Sequence, residues 1–163
     1  MLTMVVACNG GLEPSPESGA CPSGFIGACG TVTFRGAVPP NTQVVYVVAY
    51  EHFPQGINDL LLYQPLAPPT LDLPTGPADT TATYRLPLPA GHYEWILAVW
   101  KENGPLSFET ADSLLREAGF YRNPLIPSEP GSLDIAGGRD SIDFVVDFNN
   151  MHRVSFYFPA RAR

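Results

Sequence analysis

Two stretches constrain this chain more than any others, because each is apolar on both sides of a strand. In residues 93 to 100, Tyr93, Trp95, Leu97 and Val99 fall on one side and Ile96, Ala98 and Trp100 on the other, at the two-residue period of β structure. In Thr42 to Glu51, Val44, Tyr46, Val48 and Tyr50 face one way and Val45, Val47 and Ala49 the other. Such strands need cover above and below. They are therefore expected to be neighbours in one sheet, with a second sheet against one face and a loop or helix against the other.

The remaining strands are half-apolar. Ala82, Tyr84, Leu86 and Leu88 alternate with Thr81, Thr83 and Arg85, the pattern of a strand with one buried face. Pro89 presets φ for a corner and Gly91 can take a left-handed conformation, so Tyr84 to Lys101 reads as a β-hairpin. Gly30 to Gly36 places Val32 and Phe34 inward. Ser132 to Ala136 is a short strand, and Gly137-Gly138-Arg139 a turn. Asp140 to Phe148 places Ile142, Phe144, Val146 and Phe148 inward, and Val154, Phe156 and Phe158 are expected to close the sheet before Pro159.

With 18 prolines and 15 glycines in 163 residues, long helices are disfavoured. Helical signals occur once: Thr110 can cap a helix over Ala111–Ala118 that Gly119 ends. Phe53 to Asp79 carries six prolines and also Leu60, Leu61, Leu62, Tyr63, Leu66, Leu71 and Leu73, so this long loop is expected to fold down as cover. The fold class is all-β: an antiparallel or mixed β-sandwich of about seven strands, with one short helix and a long Pro-rich loop. The sandwich is expected to occupy residues 30–163, with residues 1–29 forming a tether.

The N-terminal stretch Val5-Val6-Ala7-Cys8 resembles the lipobox of bacterial lipoproteins, in which the cysteine receives the lipid. That resemblance implies lipidation at Cys8 and a membrane anchor. Seven residues ahead of Cys8 are fewer than the roughly 15–30 of a signal peptide, so either the start lies further upstream or the match is accidental and Cys8 is an ordinary thiol. Residues 9–19 are polar and rich in Gly and Pro, as a flexible spacer would be. The absence of Asp at position 9 leaves the outer membrane open as a destination under the sorting rule of that family.

Setting Cys8 aside leaves Cys21 and Cys29, an even pair. A disulfide pinning the tether to the first strand is expected, with free thiols as the alternative. Zinc fails for want of further ligands nearby. A net charge of -7 disfavours nucleic acid as a partner.

From strand order and motifs, residues 30 to 158 are similar to transthyretin-like, or carboxypeptidase-regulatory-like, β-sandwich domains. Leu88, Gly91 and Tyr93 match a Leu-x-x-Gly-x-Tyr turn of that family. Gly30, Val32, Phe34 and Gly36 near the start, and Val146, Asp147 and Phe148 near the end, match motifs of bacterial envelope lipoproteins of unassigned function. The resemblance implies a prealbumin-like fold. The hydroxyisourate hydrolases of this fold end in Tyr-Arg-Gly-Ser, whereas this chain ends in Ala160-Arg-Ala-Arg163, so their activity is not expected.

No Ser, His and acid grouping or Gly-x-Ser-x-Gly elbow stands out. No catalytic residue, cofactor or metal is therefore assigned. His52, His92 and His152 read as solvated loop residues rather than iron ligands. Asp143 and Asp147, about 13 Å apart at ~3.3 Å per residue, read with Asp134 and Asp140 as solvated charge rather than a calcium site. Trp95 is expected in the core. Trp100, beside Lys101 and Glu102, is the candidate for a ligand surface. Two functions follow: a non-catalytic envelope lipoprotein module for protein interaction or support, presenting loops such as Phe53 to Asp79 to another envelope component, or a domain binding a glycan or small ligand through Trp100 and the tyrosines of that loop.

Overall fold

The double-sided apolar strands do pair with each other, and the rest of the fold is arranged around them. The computed structural model describes residues 21–76 and 80–158. Among these residues the elements run β1 (Gly27–Arg35), β2 (Thr42–Tyr50), β3 (Thr81–Pro87), β4 (Gly91–Tyr93), β5 (Trp95–Glu102), α1 (Phe108–Leu114), β6 (Leu115–Phe120), β7 (Leu133–Ile135), β8 (Arg139–Ser141), β9 (Phe144–Asp147) and β10 (His152–Arg153). The chain is mostly β, but it has ten described strands in three sheets rather than about seven in two.

One four-stranded sheet has the order β10-β6-β5-β2, all antiparallel. In the other, β1 pairs antiparallel with β3 on one flank and parallel with β8 and then β9 on the other. Strands β4 and β7 form a separate pair. Val32, Tyr84, Leu86 and Val146 from the second sheet pack in one cluster with Val47, Ile96, Ala98 and Trp100 from the first. The two larger sheets therefore face each other across a shared core. Complete burial of each large aliphatic side chain there contributes about 1.5–3 kcal/mol.

The opposite face of the first sheet carries its own cluster of Val48, Tyr50, Trp95, Leu97 and Phe120. Its cover comes from Phe53 and Tyr63 of the Pro-rich loop and from Tyr157 near the C-terminal end. The loop also follows the edge of β2. Val47 N donates to Pro69 O, Leu71 N to Val45 O, and Ala49 and Gln64 exchange both backbone bonds. An edge that would otherwise present unpaired N–H and C=O groups is occupied.

Several expectations are corrected. Residues 81–88 and 93–100 are not a hairpin: β3 pairs with β1, and β5 with β2 and β6. Their side-chain patterns explain the separation, since β3 has a polar face to give to solvent and β5 has none. Gly91 does not adopt positive φ. The Leu-Pro-Leu-Pro-Ala-Gly-His-Tyr corner is instead held by Tyr93, whose hydroxyl donates to Pro89 O at 3.0 Å, as in a tyrosine corner.

The chain bends at Glu94, whose N–H donates to Tyr50 O and whose carboxylate accepts from Phe53 N at 2.8 Å. This bend puts Tyr93 in the shared core and Trp95 on the opposite face.

The helix is shorter and earlier than expected. Ser107, not Thr110, is its N-cap, accepting from Thr110 N while Thr110 Oγ1 accepts from Ser107 N, a reciprocal capping box. Residues 115–120 are strand, and Gly119 lies inside it. Residues 154–157 form a 3-10 turn rather than a strand, with Phe156 exposed. At the other end β1 begins at Gly27, ahead of the expected boundary at Gly30, and Ala28 and Cys29 are fully buried.

Candidate functional site

Cys8 lies outside the described residues. Cys21 and Cys29 are joined by a disulfide with their Cα atoms 5.4 Å apart, which ties the segment ahead of β1 to the strand. Trp100 is not at a ligand surface. Only 4% of it is exposed, it belongs to the shared core, and its indole N–H donates to Thr42 Oγ1 at 2.7 Å. Its polar neighbour misled the reading, because Lys101 is itself buried, with its ammonium donating to Gln43, to Glu102 O and to Gly104 O.

The three histidines do not come together. His52 faces Glu94 at 3.6 Å, His92 faces Asp134 at 2.7 Å across the β4–β7 pair, and His152 faces Glu117 at 3.3 Å. Asp143 is not merely solvated. Its carboxylate accepts from Thr31 N at 2.6 Å, at the gap between β8 and β9 on the flank of β1 opposite β3. Among the described residues no three His, Cys, Asp or Glu side chains gather as a metal site.

Two surface features remain, the first on the Pro-rich loop expected to be presented to a partner and the second with no counterpart in the sequence reading. The first is an apolar ridge on the Pro-rich loop. Leu61, Tyr63 and Leu66 separate two clefts. One, of about 390 Å³, is lined by Tyr46, Tyr50, Val99 and Leu106, and the other, of about 520 Å³, by Glu51, His52 and Asp59. Leu66 is 83% exposed and Leu62 68%, and Leu61, Leu106 and Phe108 are also exposed. Tyr50 is fixed below them by donating to Leu60 O at 2.9 Å. Burial, reinforced by Tyr63, raises the Tyr50 phenol well above its ordinary ionisation range.

The second feature is a polar cleft of about 480 Å³ where β6, β9 and the C-terminal turn meet. Glu117 of β6 is 3% exposed there and carries a carboxylate. It accepts from Tyr157 OH at 2.6 Å and lies 3.3 Å from His152 Nδ1. Burial raises the Tyr157 phenol, and its hydrogen bond to Glu117 adds to the rise, so it remains a donor at neutral pH. Arg122 lies 4.4 Å over the Phe120 ring and donates to Pro127 O. Arg35 and Asp147, paired in register on β1 and β9, also line the cleft.

Pairing of Glu117 with His152 across β6 and β10 could have been found only from the strand register, since the two lie 35 residues apart. No family model matches the chain, and no curated protein or solved structure is significantly similar to it.

Proposed function

We propose that this chain is a non-catalytic module of the bacterial cell envelope, anchored through a lipid on Cys8, that docks a partner protein on the apolar ridge of the Pro-rich loop. The observation that carries the reading is the exposure of Leu61, Leu62, Leu66, Leu106 and Phe108 beside two clefts. Contiguous apolar surface of this kind on a water-soluble face marks contact sites.

Charge sets the chemistry of the partner. Glu51 and Asp59 flank the ridge and the chain carries -7 overall, so the complementary segment presents Leu- or Phe-like side chains flanked by Lys or Arg. The anchor is supported by the lipobox-like Val5-Val6-Ala7-Cys8, and an oxidising compartment by the Cys21–Cys29 bond. Two facing sheets and the tyrosine corner at Tyr93 support reading the architecture as a transthyretin-like sandwich.

Each half of the proposal has its own test. Growth with an alkyne-bearing fatty acid is expected to label the full-length protein and not its Cys8→Ala variant; an unlabelled protein removes the anchor. Short synthetic peptides with Leu-Phe pairs flanked by Lys are expected to shift the backbone amide signals of Leu61, Leu66 and Leu106, more weakly with rising salt. Glu-for-Lys versions are expected to bind at least about tenfold less tightly. Shifts that map elsewhere, or that survive Leu66→Ser with Leu106→Ser, remove the docking surface.

A further inference from the structure

We propose that the polar cleft between β6, β9 and the C-terminal turn is a binding site for a neutral saccharide. It shares no lining residue with the apolar ridge, so it stands or falls separately from the docking surface.

The lining selects the ligand class by charge. Arg35 and Arg122 offer guanidinium donors, Asp147 offers a carboxylate acceptor with the buried Glu117 carboxylate behind the lining, and Asn150 offers both donor and acceptor. An anionic ligand would meet the Asp147 carboxylate, and a cationic one the two guanidinium groups. A sugar hydroxyl donates and accepts at once, so a polyol can satisfy both signs without bringing a net charge into the cleft.

Shape and rigidity favour the same class. The volume, about 480 Å³, lies within the range of small-molecule sites, roughly 300–1,000 Å³. Phe156 is 67% exposed, with its ring stacked on His152 at 4.7 Å between centroids. That stack occupies one face and holds the ring as an apolar platform for the C–H face of a sugar. The polar groups are held in place beforehand: Glu117 by Tyr157 and His152, and Arg122 by Phe120 and Pro127. Little further ordering is needed when a ligand binds.

The glycan reading attached to Trp100 thus transfers to a site whose exposed aromatic is Phe156.

The test is titration of the whole chain with maltotriose, cellotriose and triacetylchitotriose, read by amide shifts and calorimetry, with galacturonic acid and glucosamine as charged comparators. At least one trisaccharide is expected to bind with a Kd of about 1 mM or tighter, shifting Phe156, Asn150 and Asp147. Phe156→Ala and Asp147→Asn are each expected to weaken it about tenfold or more without changing the melting temperature, while Leu66→Ser leaves it unchanged. The proposal is overturned if no trisaccharide binds, if a charged sugar binds more tightly than all three, or if Phe156→Ala keeps full affinity. Should Phe156→Ala prove unstable, Arg35→Ala on the exposed rim replaces it, with the same weakening expected and retained affinity counting against the site.

Discussion

Gly119 lies against the carbonyl oxygen of Val145 so closely that a Cβ at position 119 would overlap it, with the Val145 carbonyl carbon and Val146 Cα at 2.9 and 3.0 Å. Gly119 belongs to β6 and Val145 to β9, strands of different sheets, so the absent side chain is what lets the two sheets close along that side. Gly119→Ala is expected to cost about 2–4 kcal/mol, because the obstacle is backbone that cannot rotate away. Gly138→Ala, with nothing within 4 Å of the added carbon, is expected to stay within about 0.5 kcal/mol. Urea unfolding of both variants checks this. Equal midpoints would mean that the sheets do not depend on that approach.

The hydroxyls of Tyr50 and Tyr84 predict an alkaline limit to stability. They donate to Leu60 O and Ile142 O, each at 2.9 Å. Burial raises both phenols, with Tyr63 adding to the effect on Tyr50, and Asp143 and then Tyr121 to that on Tyr84. In the unfolded chain a tyrosine loses its proton near pH 10, about the ordinary value. Below that pH both states hold the proton, and the two residues add no slope.

Above pH 10 the unfolded state releases protons that the folded state keeps, so stability falls by roughly 1.4 kcal/mol per pH unit for each tyrosine. Denaturant midpoints between pH 8 and pH 11.5 are expected to be flat and then to drop. The Tyr157 and Tyr93 phenols are raised as well and add to the drop, so Tyr84→Phe should remove roughly a quarter to a third of it, and an unchanged drop in that variant would contradict the assignment.

How much of this was readable beforehand depended on whether burial came from a strand's own pattern or from distant partners. Strands β2 and β5 were legible as neighbours because their residues have no polar face to expose, and β3 because Tyr84, Leu86 and Leu88 alternate with polar residues and are buried. Leu115–Phe120 was not legible. Arg116 and Glu117 look solvent-facing in the sequence, and only Tyr157 and His152, 40 and 35 residues away, make a buried carboxylate tolerable at position 117.

Trp100 failed for the same reason: the charge on Lys101 suggested exposure, while Gln43 and the backbone carbonyls of residues 102 and 104 accept hydrogen bonds from its ammonium inside the fold. The ridge leucines were counted as cover. Leu60 and Leu71 are buried, but Leu62 and Leu66 are not, because the loop's backbone bonds to β2 at residues 64, 69 and 71 rather than its leucines hold it down.

Glu117 is expected to act as the anchor of the C-terminal segment. Its carboxylate receives the Tyr157 hydroxyl, and the Tyr157 ring packs 5.2 Å from Trp95 between centroids, so one buried acid positions part of the cover over the outer aromatic cluster. Glu117→Leu leaves the phenol without its partner and is expected to cost about 1–3 kcal/mol. Glu117→Gln, which keeps an acceptor of the same reach, should cost about 1 kcal/mol.

The stability effect alone would not separate an anchor from a generally well-packed residue, so the decisive measurement is the coupling. Tyr157→Phe made in the Glu117→Leu background should cost less than in the parent, by about 0.5–3 kcal/mol. In Glu117→Leu, amide exchange at His152 and Tyr157 should also quicken ahead of that at Val47 and Ala98. A coupling of zero together with unchanged exchange would show that the segment is held by its ring contacts and by the Ser155 N–H bond to Asp112, and that the carboxylate does not hold it.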